Sequence, residues 1–326
     1  MHAGSIRRVA GRPRSLRQVV LSGGVGGARF LLGLVEVVEP AGVTIVANVG
    51  DDLEVLGLHV SPDLDTILYT LAGLGDEERG WGRKDESWNA LATVSALRGE
   101  TWFRVGDRDL GLHLVRTQAL REGRSLSEVT GRLASAVGLE PTLLPATDQP
   151  LRTWLDTPAG SFSFQEWFVA RGHRDEVDRV RFEGATSARP APGVAAAIAD
   201  ADLILIAPSN PYVSIGPILA VEEIRAGLAA RTAPAIAISP LVGGRAVKGP
   251  ADRMLARLAG GTSAAHVASC YAGLIDALVF DESDADDSEL VARTGVRPIV
   301  APTLMRDAAD RRRLAEVVLA ATALAP

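Results

Sequence analysis

A doubly wound, mainly parallel α/β sheet is the fold class this sequence predicts, and three observations carry the prediction. Short apolar runs recur along the chain: VVLSGG from Val19, VTIVANVGDD, DLILIAPSNP, PAIAISP, ALVF ending at Phe280, and RPIVAPT. Continuously apolar strands are buried on both faces, as in parallel sheets covered by helices. Between them lie longer stretches of helical periodicity, beginning with ARFLLGLVEVV, which gives the β-loop-α-β succession of a wound sheet. Glycines and short polar residues gather just after the strands, on the edge where such sheets bind ligands.

At roughly 150 residues per domain, 326 residues allow two folding units or one large one. We read one Rossmann-like domain over 18–326 with an insertion at about 84–190, preceded by a basic, flexible tail at 1–17 that carries five arginines and no acid. Within the insertion, residues 84–138 have helical periodicity, and 142–183 alternate polar and apolar around Ala159-Gly160, which predicts an antiparallel hairpin. A hydrophobic fraction of 47% excludes disorder for the bulk of the chain. Lys plus Arg (34) falls short of Asp plus Glu (40), so nothing drives nonspecific binding to nucleic acid or anionic membrane. No apolar run suits a signal peptide or a membrane span. Cys270 has no second cysteine to pair with and reads as a small core residue, so a reducing cytoplasm is the expected location.

The first chemical signal is Ser22-Gly23-Gly24-Val25-Gly26-Gly27, after a strand and at the start of a helix. Glycines there let backbone N–H groups approach a phosphate at the helix N-terminus, where the helix dipole also favours an anion. A Walker A loop would continue with Gly-Lys-Ser/Thr, and here Ala28-Arg29 follow. A dinucleotide fold would end its second strand in an acid for the ribose, and here Asn48-Val49-Gly50 stand instead. The alternative is a tight turn whose glycines serve close packing alone.

Acids form the second signal: Asp51 and Asp52 past the second strand, then Asp63 and Asp65 in SPDLDT before a further helix. Clustered carboxylates repel unless a cation sits among them, and Mg²⁺ takes one or two carboxylates together with water and phosphate. Taken alone, Asp63 is expected to cap its own helix. A third group holds Ser209-Asn210-Pro211 and Ser214 at one strand end, with Ser239, Gly243, Gly244 and Lys248 after the next. Short polar side chains and a mobile cation at adjacent strand ends suit the walls of a nucleotide or phosphate pocket.

In this order, SGGVGGARFLLGL, NVGDD, SPDLDTILYTL, WGRKDESW, VGDRDLGLHLVRTQAL, LLPATD, APSNPYVSIGPIL, SPLVGG with VKGPADRM, and VFDESD closely resemble the transferase family of coenzyme F-420 biosynthesis, 2-phospho-L-lactate or phosphoenolpyruvyl transferase (CofD/FbiA). The resemblance implies transfer of a phospholactyl or phosphoenolpyruvyl group from a guanosine diphosphate-linked donor to the ribityl end of a deazaflavin, with GMP released, Mg²⁺ as cofactor and a homodimeric enzyme. It makes Ser22, Gly23, Gly24, Gly26, Gly27, Asp63, Ser209, Asn210, Ser214, Gly243 and Lys248 substrate-binding. Asp65 and Arg104 become the acceptor contacts, with Trp88, beside Trp81, available to stack on the flat ring. Asp51, Asp52 and Asp65 are the expected metal ligands. Asp52 and Asp65 are the expected catalytic bases, since both roles need an ionised carboxylate near phosphate. His113, on the apolar face of GLHLVRTQAL, reads as a packed, hydrogen-bonded histidine. Ala and Arg in place of Ile and Lys suggest a GC-rich actinobacterial genome, which favours the phosphoenolpyruvyl donor. The alternatives are a noncatalytic nucleotide-sugar-binding regulator of a related family, which shares only the first third of these motifs, and a nicotinamide oxidoreductase, which lacks its ribose acid here.

Overall fold

The computed structural model describes residues 16–324, so the tail expected at 1–17 lies almost wholly outside the described residues. Of its residues, Arg17 places its N–H and guanidinium both on Asp202. Seven strands form the central sheet: β1 (Gln18–Ser22), β2 (Val43–Ala47), β3 (Thr142–Pro145), β4 (Leu203–Ile206), β5 (Ala235–Ile238), β6 (Ala277–Phe280) and β7 (Arg297–Val300). All pair in parallel, in the order β3-β2-β1-β4-β5-β6-β7. The five inner strands are buried almost throughout, which is why they read as unbroken apolar runs. Winding reverses between β1 and β4, and the crevice beyond their carboxyl ends is where an open α/β sheet takes its ligand.

Helix α1 (Gly24–Val37) follows β1 and buries Phe30, Leu31 and Leu34 between the helices Pro62–Leu71 (α2) and Ala308–Ala320. Residues 84–190 contain α3 (Asn89–Ala96), α4 (Asp107–Arg121), a further helix at Leu126–Ala136 and strand β3, which joins the main sheet. The hairpin turns at Ala159-Gly160 as expected, but it pairs Arg152–Thr157 with Gly160–Ser163, and Arg179–Glu183 adds a third antiparallel strand. The part of the expected hairpin at 142–145 therefore belongs to the sheet edge. Its burial alternates because one face of an edge strand meets solvent. Leu155, Phe164, Trp167, Val177, Val213 and Met254 form a small second core that seats this module on the main domain.

Candidate functional site

The glycine loop leaves β1 at the switch point and is tied there from three sides. Gly24 adopts φ +70°, which a glycine holds without strain, and its N–H donates to Asp63 Oδ1 at 2.8 Å. The Ser209 hydroxyl, from the end of β4, donates to the Gly23 carbonyl at 2.7 Å. Asn48, from the end of β2, donates through Nδ2 to Asp63 Oδ2 (2.9 Å) and the Val213 carbonyl (3.2 Å), while its Oδ1 accepts the Gly50 N–H at 2.7 Å. Asp63 thus caps α1 and not, as its position suggested, its own helix. Ser214 packs beside Gly23, and Ser22 Oγ is buried without a hydrogen-bond partner.

Three of the glycines, Gly23, Gly26 and Gly27, are there for packing. A β-carbon on Gly26 would lie 2.6 Å from the Pro208 carbonyl oxygen, and one on Gly27 would meet the Ser22 and Ser209 hydroxyls. The close approach required of Gly26 and Gly27 is to the ends of β1 and β4 and that of Gly23 is to Asp63 and Ser214, whereas Gly24 shapes the turn itself.

The acids are buried together. Burial first, and then the charge of Asp63, pushes the Asp51 carboxyl well above its ordinary range, against a hydrogen bond with Asn48. Burial likewise pushes Asp63 up to about 6, opposed by Asn48 and the Gly24 N–H. Asp52 Oδ2 accepts the Ser61 hydroxyl at 2.9 Å and lies 3.1 Å from His59 Nε2. One oxygen of Asp51 and one of Asp52, Oδ1 in each, are buried and without a partner. Asp65 differs: Arg116 grips both its oxygens, with Nη1 at 3.0 Å from Oδ2 and Nη2 on Oδ1.

The three expected metal ligands are therefore not gathered into one set. Among the described residues, no three His, Cys, Asp or Glu side chains are grouped so as to hold an ion unaided. The orphaned oxygens of Asp51 and Asp52 suit a hard cation that completes its shell with phosphate and water, while Asp65, engaged by a guanidinium, has no such oxygen.

The acceptor-side residues form a second group. Arg104 stacks on Trp88 at 4.4 Å and Arg79 lies 5.3 Å from the same ring, with Trp81 edge-on at 6.4 Å. Trp88 is thus already covered by guanidinium groups, which a flat ligand would displace. Lys248 links this group to the strand-end loops by donating to the Gly80 carbonyl at 3.0 Å. Partial burial and the charge of Arg29 lower its pKa. Asn210 accepts the Tyr212 N–H, and the Gly243 N–H donates to Asp284, so both are occupied in shaping their own loops. Surface cavities of about 320 Å³ beside Trp167 and Met254, and about 470 Å³ beside Tyr212 and Cys270, are lined by none of the expected site residues.

Asn48, Ser61 and Arg116 belong to the site although no site role was expected of them, each lying inside a motif quoted above. The available signal was Arg116 itself, an arginine one helical turn beyond His113 on a face expected to be buried. His113 is 1% exposed and packed as expected.

Residues 19–318 match the family model described as 2-phospho-L-lactate transferase CofD. The chain belongs to the CofD family. It is 42% identical over 312 residues to a protein of Kitasatospora aureofaciens named phosphoenolpyruvate transferase, covering 94% of this chain and 97% of that one. Proteins of the same name from Streptomyces coelicolor (43% over 298 residues; 90% and 93% covered) and Mycobacterium tuberculosis (40% over 317; 90% and 94%) are similar to it as well. Among solved structures, a UPF0052-family protein of Bacillus halodurans superposes with a TM-score of 0.64 at 16% identity, covering 94% of this chain and all of that one. At that identity the likeness shows the fold alone. CofD membership makes the chain a transferase of coenzyme F-420 biosynthesis. No described helix is long and apolar enough to cross a membrane.

Proposed function

We propose that the chain transfers a phosphoenolpyruvyl group, or less readily a 2-phospho-L-lactyl group, from a guanosine diphosphate-linked donor to the ribityl primary hydroxyl of the deazaflavin Fo, as a cytoplasmic homodimer. The observation that carries this reading is the meeting, at the switch point, of the Gly23-Gly24 turn with the partnerless oxygens of Asp51 and Asp52. The N-terminus of α1, where a phosphate would take the place that Asp63 holds on the Gly24 N–H, beside cation-seeking carboxylates suits a magnesium diphosphate.

Asp51 would hold magnesium, which when bound supplies neutralisation of charge on the transferring phosphoryl group. The loop from Ser22 to Gly24 and the Ser209 and Ser214 edge position the donor. The acceptor hydroxyl oxygen forms the new bond to the phosphorus nearer the three-carbon acid, the bond from that phosphorus to GMP breaks, and GMP leaves with the bridging oxygen. Of the two expected bases, Asp65 has both oxygens on Arg116, so with the cation held through Asp51 the hydroxyl proton goes to Asp52, whose Oδ1 is then free to take it. Positioning and charge complementarity carry most of the acceleration.

Incubation with Mg²⁺, donor and deazaflavin, followed by chromatography, should show GMP only when all three are present. Donor binding with no GMP formed would overturn this reading in favour of a noncatalytic nucleotide-binding regulator.

A further inference from the structure

We infer that Arg116 is a positioning residue for Asp65, seated in turn by His113 and Asp109, so that one wall of the acceptor site is set by a polar network between α2 and α4. This rests on the proposed reaction together with the acceptor contact that the family resemblance implies for Asp65.

Arginine is almost never fully buried without a partner, and Arg116 is 1% exposed. Its fork meets both oxygens of Asp65, in the first turn of α2, which fixes the plane of the carboxylate as well as its place. The same Nη1 lies 3.4 Å from His113 Nδ1. A guanidinium only donates, so Nδ1 must accept, and the ring proton is assigned to Nε2. That nitrogen faces Asp109 Oδ1 at 3.2 Å, and the same oxygen accepts the Tyr69 hydroxyl at 2.6 Å. Burial pushes the Asp109 carboxyl up, but His113 and Tyr69 outweigh it and hold the group below its ordinary value. The hydrogen bonds of the network then run from Tyr69 to Asp109 and from Arg116 to His113 and Asp65, while His113 Nε2 lies beside Asp109 without an aligned hydrogen bond.

Stability alone is a poor reason for such a network, because well-packed apolar replacements of buried ion pairs are often as stable or more so. Arg116 Nε is moreover buried without a partner, an added cost that packing does not explain. Orientation explains it. Asp63, two residues before Asp65, ties α2 to the glycine loop at Gly24, and Arg116 ties the same turn to α4. In the first turn of α2 the donor loop is thus held through Asp63 and the Asp65 carboxylate through Arg116, by separate partners.

The test compares wild type with Arg116→Met, Arg116→Lys and His113→Phe. It measures urea stability, donor affinity by calorimetry, deazaflavin affinity by fluorescence, and kcat and KM for the deazaflavin. Misplacement by about 1 Å can cost about 100-fold, so Arg116→Met should lose about that much kcat/KM for the deazaflavin while donor affinity stays within about threefold. Arg116→Lys should recover part of the loss, and His113→Phe should lose about tenfold. Equal loss of both affinities, or a folded variant with wild-type values, overturns the inference. If Arg116→Met does not fold, Arg116→Lys is judged by the same criteria. A wild type that binds deazaflavin yet releases no GMP would overturn the proposed reaction instead, while the fluorescence comparison would still decide the role of Arg116. A wild type that does not bind deazaflavin overturns both.

Discussion

Replacing Asp63 with asparagine should stabilise the ligand-free protein above neutral pH. Asp63 is 6% exposed, and burial raises its carboxyl from 3.8 to about 6. Because the folded value is the higher one, the group contributes its stability below about pH 4 and loses it as pH rises through 6. A difference of roughly two units corresponds to about 3 kcal/mol. Asparagine is neutral throughout and escapes that loss. It keeps an acceptor for the Gly24 N–H but turns its amide nitrogen toward Asn48 Nδ2, at a cost of about 1 kcal/mol. The net expectation is a variant about 2 kcal/mol more stable than wild type near pH 8 and about 1 kcal/mol less stable near pH 4. Urea denaturation across that interval reads the difference directly. Asp107 and Asp156, each held down to about 2 by hydrogen bonds, titrate below the interval and do not disturb it. Added Mg²⁺ should stabilise wild type near pH 8 more than near pH 5. A wild-type-minus-variant difference that stays flat with pH would refute the reasoning.

Gly26→Ala should cost about 1–3 kcal/mol and weaken donor and acceptor binding alike, because its β-carbon meets the Pro208 carbonyl. Gly24→Ala, whose β-carbon meets only the Ser214 hydroxyl at an ordinary 3.7 Å but sits on a left-handed backbone, should cost about 1–2 kcal/mol and weaken the donor selectively; calorimetry with each ligand separates the two variants. Lys248→Ala should raise KM for the donor severalfold with little change in melting temperature, since its hydrogen bond to Gly80 is at the surface. With equal concentrations of phosphoenolpyruvyl and lactyl donors, product mass should favour the species two hydrogens lighter. Because pockets separate such similar groups by only about 1–3 kcal/mol, some of the heavier product should form too.

The wound sheet was legible because β1, β2, β4, β5 and β6 are buried on both faces and leave unbroken apolar runs. β3 was not, because an edge strand alternates in burial and resembles half a hairpin. Glycines and acids announced the site, but their division of labour did not show. Gly26 answers to a carbonyl 182 positions away, and Asp65 to an arginine 51 residues further on, on another helix. Local spacing carries no trace of such pairings. Asn48, which excluded a dinucleotide ribose site by being no acid, turns out to brace Asp63.

The central claim is that one crevice joins donor and acceptor through a single phosphoryl transfer. Its most direct measurement is the ratio of GMP released to coupled deazaflavin formed in one Mg²⁺-containing reaction, read by chromatography with mass detection. The account predicts one GMP for each coupled product, and neither without the deazaflavin; GMP appearing in its absence, or coupled product without GMP, would contradict it.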